Sequence, residues 1–128
     1  IVGVDLKKDI DVIERAYNDT EGITASFNKN IVNVINEKCG SLIDSKEFYH
    51  KAFFNENESR IEMHLVSKRK QVIKILGSEI SFYKGESIHT ENSYKYSVNS
   101  FKDLLESQKF EVIKVLTDKK SFFGIFFL

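Results

Sequence analysis

The sequence comprises 128 residues, and its 19 basic and 19 acidic side chains give a formal net charge of zero. Hydrophobic residues make up 41% of the chain, with 11 Phe and 5 Tyr, a composition typical of one globular domain and not of a disordered segment. The balanced charge favours neither a nucleic-acid partner nor a membrane surface.

The single cysteine, Cys39, excludes an internal disulfide framework and favours a reducing, cytoplasmic location. The apolar run at residues 122–128, FFGIFFL, is too short to span a bilayer. The chain begins with IVGV and ends with FFGIFFL, and neither strand-like run has polar flanks. We therefore expect a fragment of a larger protein.

The first third of the chain predicts one strand and two helices. Residues 1–4, IVGV, are typical of a strand buried on both faces in a parallel sheet, with Asp5 at its carboxyl end, where α/β sheets place ligands. Asp9 is a suitable N-cap for the first helix, and residues 20–22, TEG, interrupt it. A second helix should end at Gly40. Its apolar residues at helical spacing are Ile23, Phe27, Ile31, Val34 and Ile35.

The middle of the chain predicts an antiparallel meander, because short apolar or alternating blocks are separated by turn-like clusters. These blocks are residues 47–54, 60–68, 71–76, 79–83 and 86–93.

Helical spacing returns at residues 98–108, and two strands follow at 111–117 and 121–128, joined by DKK as a tight hairpin. This order predicts one sheet interrupted by an inserted subdomain. The fold class is α/β for the parent protein and α+β within the chain.

Few residues suggest catalysis or metal binding. The three histidines, His50, His64 and His89, lack a metal-binding spacing, so we predict no metal site. The six glycines are too scattered to form a phosphate- or nucleotide-cradling loop. Cys39, near a helix end, is better explained as a small buried residue than as a nucleophile.

The most polar candidate segment is GESIHTENSYKY at residues 85–96. Alternation along a strand predicts that Glu91 and Ser93 share a face with His89. These residues form either a solvent-facing polar edge or a pocket in which Glu91 accepts from a ligand N–H and Ser93 completes the contact. From pattern alone, Met63 is a core residue and Tyr17 a half-buried amphipathic one.

Four segments, in order, resemble a known family: VGVDLKKD, AYNDTEGITASFNKN, RIEMHL and GESIHTENSYKY. Together they are similar to the C-terminal portion of the histidine-specific, S-adenosylmethionine-dependent N-alpha-methyltransferases of ergothioneine biosynthesis. This family converts L-histidine to the trimethylated betaine hercynine.

The resemblance implies a role for each of four residues. Tyr17 would hold the carboxylate and amine end of the amino acid, and Met63 would pack on the imidazole. Glu91 and Ser93 would hydrogen-bond the imidazole nitrogens. These residue types favour histidine over a larger aromatic substrate, and no residue of this chain is assigned as catalytic.

The resemblance also implies a Rossmann-like parent fold. Residues 1–19 would supply a late strand and helix of the methyltransferase core, 20–96 an inserted substrate-recognition subdomain, and 97–128 the closing helix and strand hairpin. The S-adenosylmethionine contacts are expected in a preceding half, so the fragment should not catalyse alone.

Two further expectations follow. The exposed strands IVGV and FFGIFFL would let the isolated fragment dimerise. The alternative to the enzyme hypothesis is a free-standing, non-catalytic ligand-binding or interaction domain that reuses the fold.

Overall fold

The computed structural model describes residues 1–128 and contains eight strands, three α-helices and one 3₁₀ helix at Ser45–Glu47. The strands are β1 (Val2–Asp5), β2 (Phe48–Asn55), β3 (Arg60–Ser67), β4 (Gln71–Ile75), β5 (Ser78–Phe82), β6 (Ser87–Tyr94), β7 (Lys114–Thr117) and β8 (Phe123–Phe127). The helices are α1 (Ile10–Tyr17), α2 (Ile23–Cys39) and α3 (Val98–Ser107). The chain is thus a mixture of helices and antiparallel sheet, and none of its helices is long and apolar enough to cross a membrane.

Helix ends follow the local signals in the sequence. Asp9 caps α1 by accepting hydrogen bonds from the backbone N–H groups of Asp11 and Val12. Gly40 ends α2 in the left-handed conformation, with a φ of 62°, which a residue with a Cβ rarely adopts. Both predicted helix boundaries are confirmed.

The two ends of the chain form one antiparallel sheet in the order β1-β8-β7. Val4 and Phe126 on one side of this sheet pack against Phe101 and Leu105 of α3. The predicted parallel pairing of the first strand is wrong within this chain, because β1 pairs antiparallel with β8 and Gly3 is exposed. A short apolar run indicates a strand, but it does not determine the direction of its partner.

Strand β8 corrects a second expectation. It pairs with β1 on one side and with β7 on the other, so the final apolar run is the central strand of its sheet and not an exposed edge. Dimerisation through exposed strands stays a prediction, and within this sheet it concerns the outer edges of β1 and β7.

The middle of the chain forms a second antiparallel sheet, β2-β3-β6, and a separate hairpin, β4-β5. The expected single meander is therefore wrong, because β3 pairs with β6 and not with β4. Ser67 forms backbone hydrogen bonds with Glu86 and Gly85, which bring the start of β6 back beside the end of β3. Sequence spacing finds such strands but does not choose between neighbouring and more distant partners.

Helix α2 packs on this second sheet through Val32, which joins Phe48 and Leu65 in a buried cluster. Its helical spacing is confirmed, yet four of its five predicted apolar residues are between 39% and 65% exposed. They are Ile23, Phe27, Ile31 and Val34. The helix instead turns the polar residue Asn28, only 4% exposed, toward the sheet.

Candidate functional site

A β-bulge in β6 determines which side chains share a face. Met63 pairs with Glu91, whereas the next residue, His64, pairs with His89, so Thr90 is an extra residue opposite no partner. Glu91 and Ser93 therefore lie on the side of the β2-β3-β6 sheet that α1 and α2 cover, which we call the helix-facing side. The prediction that His89 shares their face is wrong, because the bulge places His89 on the opposite side.

A hydrogen-bonded cluster connects Tyr17, at the end of α1, to Ser93 of β6. The Tyr17 hydroxyl donates to Ser93 Oγ at 2.7 Å. The Lys95 ammonium donates to Ser93 Oγ at 2.7 Å and to Tyr17 Oη at 2.9 Å, and it lies 3.1 Å from Asp5 Oδ2. The Lys95 side chain is 1% exposed, so this cluster is held inside the protein.

Met63 forms the apolar floor beside this cluster. It is 2% exposed and packs with Ile13, Ala52 and Ile61, and the Tyr17 ring packs against the same group. Ile61 is the register partner of Ser93, and Met63 that of Glu91. The structure thus brings all four predicted substrate-binding residues to the helix-facing side.

The Glu91 side chain differs from its neighbours in forming no hydrogen bond or ion pair within the chain. The only hydrogen-bond contact of Glu91 with a side chain is made by its backbone carbonyl, 3.2 Å from His89 Nε2. Its exposed carboxylate lies at a cavity of about 190 Å³ between α2 and β6. The cavity is also lined by Phe27, Asn28, Asn30, Ile31, Val34 and Thr90. An unpaired carboxylate beside a small cavity is suited to accept hydrogen bonds from a ligand.

A buried amide holds the bulge and the helices together. Thr90 Oγ1 lies 2.6 Å from Asn28 Oδ1 and donates to it, while Asn28 Nδ2 donates to His50 Nδ1 at 2.9 Å. The ring proton of His50 is then on Nε2, which donates to the Tyr17 carbonyl at 2.9 Å. These bonds connect α1, α2 and the two strands β2 and β6 beside the cavity.

The sequence did not identify Lys95, Asn28 or His50 as parts of the site. Lys95 offered one usable signal, because it lies two residues after Ser93 and alternation places both on one face. Asn28 and His50 are separated by 22 residues, and no spacing rule relates them.

The opposite side of the sheet holds a different polar cluster. The side chains of Glu62, His64 and His89 place possible metal ligands within 4.8 Å of one another. The Glu62 carboxylate, however, already accepts from Arg60 Nε at 2.9 Å, from Arg60 Nη2 at 2.8 Å and from Asn55 at 3.0 Å. These hydrogen bonds, those from Arg60 foremost, lower the pKa of Glu62 to about 2. These bonds all reach Oε1, and the other oxygen, Oε2, lies 3.3 Å from His64 Nε2, so both carboxylate oxygens have partners within the chain and the cluster is accounted for without a ligand.

The glycines do not form a cofactor loop. They lie in strands, at helix ends and in turns, and none lies in a loop that connects a strand to a following helix. The residues of this chain therefore lack the strand-to-helix glycine loop that cradles nucleotides.

The fold is an α+β domain in which helices cover one side of an antiparallel sheet. That side carries a free carboxylate, two hydroxyls and a methionine, which are suited to a small polar ligand. Comparison with known proteins identifies its class more closely. A family model described as histidine-specific methyltransferase, SAM-dependent, matches residues 1–128. The chain belongs to this family, and the resemblance seen in its sequence is confirmed.

Two relatives show how much of such a protein the chain represents. A histidine N-alpha-methyltransferase of Mycolicibacterium smegmatis is 39% identical over 98 residues, which are 75% of this chain and 30% of that protein. A histidine N-alpha-methyltransferase of Mycobacterium tuberculosis is 35% identical over 127 residues, 98% of this chain and 40% of that protein. The chain spans less than half the length of either relative.

Proposed function

We propose that this chain is the C-terminal part of an S-adenosylmethionine-dependent enzyme that methylates the α-amine of L-histidine, giving the trimethylated betaine hercynine. In this proposal the chain supplies the amino-acid pocket. Family membership and two relatives named histidine N-alpha-methyltransferase support the reaction class.

The observation that carries the proposal is that Tyr17, Met63, Glu91 and Ser93 share the helix-facing side, with Tyr17 hydrogen-bonded to Ser93 and the Glu91 carboxylate at the cavity. A neutral imidazole has one N–H donor and one acceptor nitrogen, so a carboxylate and a hydroxyl match it. Met63 would pack on the imidazole ring, and Tyr17 would meet the amino-acid end.

The role of these residues is positioning. An amine is methylated only through its neutral lone pair, and holding that nitrogen in the reactive geometry supplies much of the rate acceleration. A substrate without matching imidazole groups would leave Glu91 and Ser93 unpaired, at a cost of about 1–3 kcal/mol each. The residues that would contact S-adenosylmethionine are expected outside this chain.

The proposal extends to the architecture of the parent protein. Residues 1–19 and 97–128 would complete a Rossmann-like sheet, and residues 20–96 would be the inserted substrate subdomain. The pairing of β1 with β8, near the two ends of the chain, supports this division. So does the apolar outer side of the same sheet, where Phe123 is 45% and Ile125 36% exposed.

Steady-state kinetics of the full-length protein test the proposal. Glu91→Ala removes the acceptor of an imidazole N–H, and a hydrogen bond to a charged group contributes about 1.5–3 kcal/mol. We expect kcat/KM for histidine to fall about tenfold to hundredfold, with S-adenosylmethionine affinity changed less than about twofold.

Glu111→Ala is the matched control, because Glu111 is exposed and forms no side-chain hydrogen bond or ion pair. Wild-type kinetics in Glu91→Ala would contradict the imidazole role. If the unaltered protein binds histidine but does not methylate it, the non-catalytic binding domain becomes the better explanation.

A further inference from the structure

Lys95 has used all its hydrogen-bond donors. A lysine ammonium carries three N–H groups, and here they meet Tyr17 Oη, Ser93 Oγ and Asp5 Oδ2 at 2.9, 2.7 and 3.1 Å. The side chain is also almost fully buried. Lys95 therefore has no donor left for a substrate, and it acts on any ligand only through the groups it holds.

The two hydroxyls that Lys95 contacts, those of Tyr17 and Ser93, have one O–H proton between them that can be donated to a ligand. Tyr17 and Ser93 together have two O–H protons, and the 2.7 Å bond between them uses one. Lys95 donates to both oxygens. Because an ammonium has no lone pair, the remaining O–H proton cannot be donated to Lys95. The phenol is the stronger acid of the two and is the donor in their shared bond. The free proton is then on Ser93.

We propose that Lys95 is a positioning residue that makes Ser93 a hydrogen-bond donor toward the ligand, so that the pocket selects histidine with a neutral imidazole. This inference rests on the proposed function. With Glu91 accepting the N–H of one ring nitrogen, Ser93 donates to the unprotonated nitrogen of the other. Tyr17 Oη retains one lone pair, which suits an N–H of the substrate amine rather than its carboxylate.

The charged and titratable groups around this cluster agree with that assignment. Asp5, at the end of β1, pairs with both Lys95 and Lys8. On β2, His50 donates to the Tyr17 carbonyl and accepts from Asn28, so the neutral ring satisfies both bonds. Glu91 alone would favour an imidazolium, which carries two N–H groups. The buried positive charge of Lys95 repels an imidazolium, and the Ser93 O–H, itself a donor, cannot accept the second N–H.

A spectroscopic experiment tests the inference on the unaltered full-length protein. Histidine labelled with ¹⁵N in the ring is bound without the methyl donor at a pH of about 5.5, where free imidazole, with a pKa of about 6.5, is mostly protonated. We expect one pyridine-type and one pyrrole-type nitrogen in the bound ligand. Two pyrrole-type nitrogens would show a bound imidazolium and overturn the inference.

Calorimetric titration of Lys95→Met provides the second test. If only neutral imidazole binds, the Kd of the unaltered protein for histidine increases about tenfold between pH 7.5 and pH 5.5. Lys95→Met removes the buried charge and leaves Ser93 Oγ able to accept an N–H from an imidazolium. In this variant the increase in Kd between pH 7.5 and pH 5.5 should be less than about threefold.

Lys102→Met is the matched control, since Lys102 is a half-exposed lysine on α3, and it should keep the tenfold change. A purely structural role for Lys95 would weaken binding equally at every pH, and that result would overturn the inference. If the unaltered protein does not bind histidine at all, the proposed function fails as well. If Lys95→Met does not fold, the ¹⁵N experiment alone decides.

Discussion

Two glutamates on opposite sides of the β2-β3-β6 sheet illustrate how one residue type acquires different roles. Glu62 on β3 accepts hydrogen bonds from Arg60 and Asn55, and its side chain is 9% exposed. Glu91 on β6 is exposed, and its carboxylate has no partner in the chain. The first carboxylate stabilises the sheet, whereas the second is available to a ligand. The difference comes from neighbours that only the folded structure brings together.

The largest effect should come from disrupting the apolar support of the helix-facing side. Ile61 is fully buried beneath Ser93, and truncating such a residue costs about 2–5 kcal/mol. We expect Ile61→Ala to lower the opening free energy of β3 by that amount, measured by amide hydrogen exchange in the full-length protein. Leu42→Ala, at a residue that is 97% exposed, should change it by less than about 0.5 kcal/mol. Equal effects for the two variants would contradict the packing described.

A smaller effect should follow from removing the hydroxyl that secures the bulge. Thr90→Val keeps the side-chain shape but removes the single hydroxyl proton, which Asn28 Oδ1 accepts at 2.6 Å. Such a loss costs about 1–3 kcal/mol, and we expect exchange in β6 to accelerate accordingly. Histidine affinity should also fall, because the bulge orients Glu91.

Thr117→Val on β7 serves as the control, because Thr117 is exposed and its hydroxyl is not hydrogen-bonded. Unchanged exchange at residues 88–92 in Thr90→Val would mean that backbone pairing alone maintains the bulge.

The smallest effect is confined to acid and concerns the opposite side of the sheet. The pKa of Glu62 falls from 4.5 to about 2 on folding, so its stabilising contribution is present above pH 4.5 and is lost as the pH falls toward 2. We expect Glu62→Gln to make the unfolding free energy fall less steeply over this range. Acid titration followed by circular dichroism measures the slope, with Glu111→Gln as the control. An identical slope in Glu62→Gln would show that Glu62 is not selectively stabilised in its charged form.

Local rules predicted much of this molecule. Asp9 and Gly40 act at helix ends through their own backbone neighbourhoods, so the sequence is sufficient to identify them. The convergence of Tyr17 on Ser93, 76 residues apart, came only from resemblance to a family, because no spacing rule reaches that far.

Pairing and bulges lay beyond sequence reasoning. Strand β3 pairs with β6 because β4 and β5 form a separate hairpin, and no local sequence signal shows that separation. The sequence around Thr90 alternates like that of a regular strand, so the bulge is not visible in it either. Lys95 was missed for a different reason. A lysine near a strand end is usually solvated, and its burial is explained by the oxygens that surround it.

The bulge at Thr90 has a consequence for engineering and for natural variation. The bulge shifts the alternation of β6 by one residue, so that Ile88, Glu91 and Ser93 face the helices while Ser87, His89 and Asn92 face the opposite side. If β6 kept Thr90 but paired without the bulge, Thr90 would lie opposite Met63 and Asn92 opposite Ile61, and Glu91 and Ser93 would face away from the helices. A strand with Thr90 deleted would instead keep Glu91 opposite Met63 and Ser93 opposite Ile61 by regular alternation, so the pocket residues depend on the bulge only while the extra residue is present.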